Sequence, residues 1–208
     1  MTNVAEYGLT EVAAPASEPL TTAEGKKHLE IDSSVTAHDT FIASLITATR
    51  IYAERYTNRA LINTTFDLFL DQFPPGDETI LLPRAPLSSV TSVTYVDGDG
   101  ASQTWSSSAY DVSASREPGR VRLAYSENYP ATRDQADAVT VRFVGGYGAT
   151  ASSVPQPIKQ AMLLLLGHWF ENRESVVVGT IAAPAPLAAT ALLDSYTFGD
   201  WLLNYARR

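Results

Sequence analysis

Cysteine is absent from this chain, methionine occurs twice, histidine three times, and basic residues are the minority charge. The first absence excludes a disulfide framework and thiolate metal sites, and fits a protein assembled inside a cell. His28, His38 and His168 include no pair at helix-ligand spacing, so a histidine metal site is not expected. Fifteen Lys and Arg against 23 Asp and Glu leave a net charge of −8, a field that repels nucleic acid and argues against a protein that grips DNA phosphates. Transient passage of DNA is compatible with it. The strongest apolar run, 161–167, is far shorter than the roughly 20 residues of a membrane span and is flanked by Lys159, Glu171, Arg173 and Glu174. The first 19 residues hold Glu6, Glu11 and Glu18, no Lys or Arg and no sustained apolar core, so a secretory signal is not expected there. No repeat of 20 to 50 residues occurs.

What is present is enough apolar material for a core. The chain has 208 residues, 45% hydrophobic and 18% charged, which suits one or two globular domains. Residues 1–19 lack periodicity and read as an extended arm, with ordered structure starting near Leu20. Thr21 stands three residues before Glu24, the spacing of a capping box, and predicts a short helix to about Leu29 that Gly25 weakens slightly. A second capping signal, Thr36-Ala37-His38-Asp39, opens a helix over 37–57. Phe41, Ile42, Leu45, Ile46, Thr49, Tyr52, Ala53 and Tyr56 recur there at steps of three or four, and Thr57-Asn58 ends it.

The period then changes. Phe66, Leu68 and Leu70 alternate with Asp67, Phe69 and Asp71 before Pro74-Pro75-Gly76-Asp77, which predicts a strand and a turn. Strands are expected over 65–72, 79–82, 90–97, 103–105, 120–124 and 139–144. Asp97-Gly98-Asp99-Gly100 and Glu117-Pro118-Gly119 supply turn chemistry between them. The result is a small antiparallel sheet or sandwich over 64–149, inserted between helical segments at 20–63 and 150–194. The fold class is therefore α+β.

The closing helix, expected over 156–174, begins with Pro155 and Pro157, whose missing amides cost little in a first turn. Over 161–167 it has no polar face, so protein must cover it on most sides, this chain's own helices or neighbouring copies. Met162, Leu163, Leu166, Trp169 and Phe170 are the candidates for packing between copies. Val176-Val177-Val178-Gly179 follows, then the proline-rich Ala182-Ala183-Pro184-Ala185-Pro186, a short helix over 187–193 and an extended tail over 195–208. The tail is aromatic. Tyr196, Phe198, Trp201, Leu202, Leu203 and Tyr205, followed by Arg207 and Arg208, are candidate docking residues, with packing on this chain's own core as the plain alternative.

Catalytic motifs are weak. His168 and Glu171 share a helix face but lack further ligands, and Asp97-x-Asp99-Gly100 lacks the later carboxylate of a calcium loop, since position 108 is Ser108. Gly145-Gly146-Tyr147-Gly148 lacks the Lys-Ser/Thr of a phosphate loop and the Rossmann glycine spacing, and reads as a turn before a helix. No Gly-x-Ser-x-Gly elbow occurs. Asp67, Asp71, Asp97, Asp99 and Asp111 could form a hydrolase pair only by converging across strands; a solvated acidic sheet face is the simpler account. No cofactor or enzyme activity is expected.

The order of segments is more specific than any motif. Glu18-Pro19-Leu20-Thr21-x-x-Glu24, Lys27-His28-Leu29-x-Ile31-Asp32 and Ile51-Tyr52-Ala53-Glu54-x-Tyr56-Thr57-Asn58-Arg59-Ala60-Leu61 resemble the opening of head-tail connector (adaptor) proteins of tailed bacteriophages and gene transfer agents. Leu81-Leu82-Pro83-x-Ala85-Pro86-Leu87-x-Ser89-Val90-x-Ser92-Val93-x-Tyr95 resembles that family's inserted sheet. Val154-Pro155-x-Pro157-Ile158-Lys159-Gln160-Ala161 through His168-Trp169-Phe170-Glu171-Asn172-Arg173-Glu174 resembles its closing helix. The resemblance spans roughly residues 18–174.

It implies a structural virion protein at the neck, assembled in the host cytoplasm, forming a homo-oligomeric ring of dodecameric order beneath the portal protein. The ring would join the capsid to a neck, stopper or tail-terminator protein, with double-stranded DNA passing through its lumen unbound and no membrane involved. Residues 195–208 fall where the family's C-terminal segment docks on the portal. The competing expectation is a monomeric carbohydrate- or receptor-binding module with an exposed platform of Trp105, Tyr110 and Tyr125.

Overall fold

A computed structural model describes residues 7–172 and 186–198. Among them are four α-helices and eight strands, all sheet pairings being antiparallel. No helix among the described residues is long and apolar enough to cross a membrane. The described residues divide into two compact units, one of 7–16 and 63–147, the other of 17–62, 148–172 and 186–198.

The first unit is built on a five-stranded sheet of order β1-β2-β8-β4-β5, formed by Tyr7–Glu11, Thr64–Leu70, Val139–Gly145, Leu87–Val96 and Ser102–Thr104. A three-stranded sheet, β3-β7-β6, joins Ile80–Leu82, Gly119–Leu123 and Tyr110–Ser113. Central β8 shows the alternation of a sheet with one buried face. Val139, Val141 and Phe143 are fully buried, whereas Arg142 is exposed and grips Asp67 on β2 with two 2.7 Å hydrogen bonds. Asp67 and Arg142 are register partners, as are Phe66 and Phe143, whose rings stack at 5.6 Å.

Two strands depart from the sequence expectation. Residues 1–19 read as an extended arm, yet Tyr7–Glu11 forms a strand paired with residues 66–70 of β2. A five-residue strand has little signal of its own; β2 supplies its hydrogen bonds. The second, Tyr110–Ser113, is buried only at Tyr110 at its start and partly at Ser113 at its end. The other strands lie within one to three residues of their expected bounds at each end.

In the second unit, α1 (Thr22–His28) starts with the expected capping box. The Thr21 amide donates to Glu24 Oε2 at 2.7 Å, and the Glu24 amide donates to Thr21 Oγ1 at 3.1 Å. Gly25 is a packing glycine as well as a weak helix former. A Cβ there would lie 3.0 Å from Ile42 Cγ2 and 3.4 Å from Leu166 Cδ2, so its absence lets α1 approach two other helices. Helix α2 (Asp39–Thr57) does not use Thr36 as a side-chain cap; the Thr36 carbonyl accepts the Asp39 amide at 3.1 Å and His38 occupies the N-cap. At the other end Asn58 takes the left-handed conformation and stops the helix as expected.

Helix α3 (Gln156–Glu171) ends three residues before the expected boundary, with Asn172 as C-cap. Ile158, Ala161, Met162, Leu165 and Leu166 are fully buried, against α1, α2 and α4 (Leu187–Asp194). The apolar helix is thus covered largely by its own unit. The Val176–Gly179 segment and the proline-rich linker before Pro186 lie outside the described residues.

Candidate functional site

The helical unit carries its polar structure where the entering chain meets α2. Arg50, buried on a largely apolar helix face, donates from Nε to Glu18 Oε2 at 2.8 Å and from Nη1 to Glu54 Oε2 at 2.7 Å. Burial by itself would lower the pKa of this guanidinium; the Glu54 and Glu18 carboxylates outweigh that and hold it above its ordinary value. Thr47 donates to the other oxygen of Glu18, and the Leu61 amide to the other oxygen of Glu54. This lattice was not foreseen from the sequence, although the i, i+4 spacing of Arg50 and Glu54 signals half of it.

A second pair ties α1 to α3. Lys159 Nζ donates to Glu24 Oε1 at 2.9 Å. Burial pushes the Glu24 carboxyl up, but the Thr21 amide, the Lys159 ammonium and the Thr21 hydroxyl together bring it below its ordinary value. A lowered carboxyl contributes stability above its unfolded pKa, about 4.3, and loses it as pH falls through the folded value. Glu24→Gln should therefore lower the urea midpoint at neutral pH, and the difference from wild type should shrink as pH falls below about 4. A difference independent of pH would remove the ion pair from the explanation.

The outer surface of α2 and α3 forms an open groove of about 490 Å³, lined by Ala48, Ile51, Tyr52, Arg55, Tyr56 and Trp169. Tyr52 stacks on Tyr56 at 6.0 Å and meets Trp169 edge-on at 5.9 Å. The Tyr56 hydroxyl donates to Asp194 Oδ1 at 2.5 Å, tying the end of α4 to the rim, and this bond to the carboxylate raises the phenol's pKa. Of the five residues expected to pack between copies, Leu163, Trp169 and Phe170 keep partial exposure. Met162 and Leu166 are fully buried in this chain's own core and have no surface to offer a neighbour.

The aromatic tail residues divide. Tyr196 accepts Arg59 Nε on its carbonyl at 2.6 Å, the Phe198 amide donates to the Thr57 carbonyl at 2.8 Å, and the Arg59 guanidinium lies 5.7 Å from the Phe198 ring centroid. These two residues pack at the C-terminal end of α2 and on Arg59 just beyond it. Trp201, Leu202, Leu203, Tyr205, Arg207 and Arg208 lie outside the described residues.

The sheet unit carries neither of the alternative sites. Trp105 and Tyr110 are 6% and 9% exposed, packed with Phe73, Tyr95 and Tyr129, so the expected platform is instead a core and only Tyr125 stands out in solvent. The carboxylates do not converge for hydrolysis. Asp67 is held by Arg142, Asp71 accepts the Asp137 amide, Asp111 pairs with Arg122, and Asp97 accepts the Asp99 and Ala101 amides of its hairpin. His168 meets Asn172 one turn along α3, and among the described residues no group of three metal-ligating side chains exists.

Comparison with known proteins gives a consistent picture. The family model for head completion proteins matches residues 19–181. A chain in the neck of an empty GTA particle, computed with C6 symmetry, is 26% identical and superposes with a TM-score of 0.75 over 91% of this chain and 94% of that one. A chain in the virion of a native gene transfer agent (GTA) particle is 28% identical, with a TM-score of 0.73 over 90% and 94%. A third, in the neck of a native GTA particle computed with C12 symmetry, is 26% identical with a TM-score of 0.67 over 91% and 94%. No curated protein matches the sequence.

Proposed function

Because this chain belongs to the head completion protein family, we propose that it is a structural connector of the virion neck that forms a ring beneath the portal and joins the capsid to the tail-side neck proteins. It is a structural protein and not an enzyme. The observation that carries the reading is the match to GTA neck chains over nine-tenths of both partners, because similarity of that extent includes the helical unit and the sheet together. The C6 and C12 symmetries of those necks support a cyclic arrangement, of dodecameric order here. The helical unit forms the body of the ring. DNA passes through the lumen, where a net charge of −8 favours sliding over phosphate contacts.

The C-terminal segment docks on the portal through Trp201, Leu202, Leu203 and Tyr205, with Arg207 and Arg208 available for acidic partner groups. Tyr196 and Phe198 serve as its root, since they are tied to Arg59 and to Thr57 at the end of α2. A truncation that tests the docking must keep that root. Sedimentation of the portal ring from the same genome should show a stoichiometric complex with the full chain and none with a chain ending at Phe198. Equal binding by both would transfer the anchor elsewhere. Failure of the full chain to bind would remove the portal-connector reading.

A further inference from the structure

The groove on α2 and α3 has a counterpart on the same unit. Helix α4, Leu-Ala-Ala-Thr-Ala-Leu-Leu-Asp, has no charge before Asp194. Its inner side is fully buried at Ala189 and Leu193. On the outer side Leu187 is 84% exposed, and Ala188 and Ala191 are exposed with it. Ala191 is a helix neighbour of Leu187 at i, i+4 and of Ala188 at i, i+3, so these three make a short apolar stripe directed away from this chain's own core. A solvated helix normally places polar residues there.

We infer that the outer stripe of α4, led by Leu187, seats in the Ile51–Tyr52–Trp169 groove of a second copy of this chain. The dimensions agree. Leu187 to Ala191 spans about 6 Å of helix, and Ala48 to Arg55 about 10 Å, at 1.5 Å per residue. The chemistry agrees as well, since Ile51 is 40% exposed and the groove wall is aliphatic and aromatic, with Arg55 as its one charged lining residue. The stripe cannot satisfy its own groove, because the inner side of α4 is the side that packs on its own unit. Two different complementary surfaces on one chain define a heterologous contact, which generates a ring when the rotation closes. A second copy is therefore the occupant, and the inference rests on the ring reading above.

The absence of cysteine makes the test clean. Full chains carrying Ile51→Cys, Leu187→Cys or both are bound to the portal ring, oxidised and run on denaturing non-reducing gels. The double variant should give a ladder of covalent multimers. An equimolar mixture of the single variants should give dimers and nothing larger, and Lys27→Cys with Leu187→Cys should stay monomeric. Both substituted side chains are exposed, so folding is preserved. A portal-bound double variant that remains monomeric would overturn the inference while leaving the connector reading intact. Dimers from Leu187→Cys alone would also overturn it, because they require a like-to-like contact. Absence of the wild-type chain from the portal ring would remove the connector reading, and this contact with it.

Discussion

Arg50→Met should destabilise the helical unit by about 3–5 kcal/mol, the range for removing one partner from a buried ionic group. The size follows from what stays behind. The Arg50 side chain is 8% exposed, and Glu54, only 16% exposed, would lose this guanidinium from beside its carboxylate while keeping the Leu61 amide as a donor. Glu18, at 31%, would lose the cation that holds the entering chain against α2. Adding Glu54→Gln to Arg50→Met should recover part of the loss, because it removes one of the two carboxylates that Arg50 balances. Urea unfolding of the four chains in the cycle measures both effects. A cost below about 1 kcal/mol would class the lattice with surface ion pairs.

Trp105→Ala should cost a similar amount, about 3–5 kcal/mol, in the sheet unit. The indole lies 5.3 Å from Phe73, 4.9 Å from Tyr110 and 5.4 Å from Tyr129 between ring centroids, and its backbone amide donates to the Val93 carbonyl. Truncation leaves a cavity among aromatic rings that cannot all collapse into it. The expected signature is a lower urea midpoint with loss of near-ultraviolet aromatic circular dichroism. A variant of unchanged stability would contradict the packed cluster and restore Trp105 as a candidate ligand-facing residue.

The two substitutions also mark what could be read from the sequence. Local signals were legible where one residue decides a local event: the Thr21 and Glu24 capping box, the stop at Asn58, the turn at Asp97 to Gly100. The family resemblance came from segment order and holds over residues 19–181. What stayed hidden depends on partners remote in sequence. Strand β1 exists because β2 offers an edge, and Trp105 is interior because Phe73 and Tyr129 close over it. Arg50 sits on a face whose period calls for an apolar residue, and beyond its local partner Glu54 its burial needs Glu18, 32 residues earlier. Met162 and Leu166 have the same composition signal as Leu163, and only the positions of α1, α2 and α4 separate the buried pair from the partly exposed one.

The pairing of Thr64 with Gly145 has a further consequence. Opposed residues of an antiparallel pair have Cα atoms about 5 Å apart. The inserted stretch 64–145 therefore begins and ends at almost one point, although more than 80 residues separate its ends. For the helical unit, the intervening chain behaves as a long loop whose ends are already brought together by its own folding, so the closure entropy is met within the sheet. Such an arrangement makes residues 64–145 an exchangeable insertion: its size and surface can change while the spacing of its two ends stays that of a tight turn.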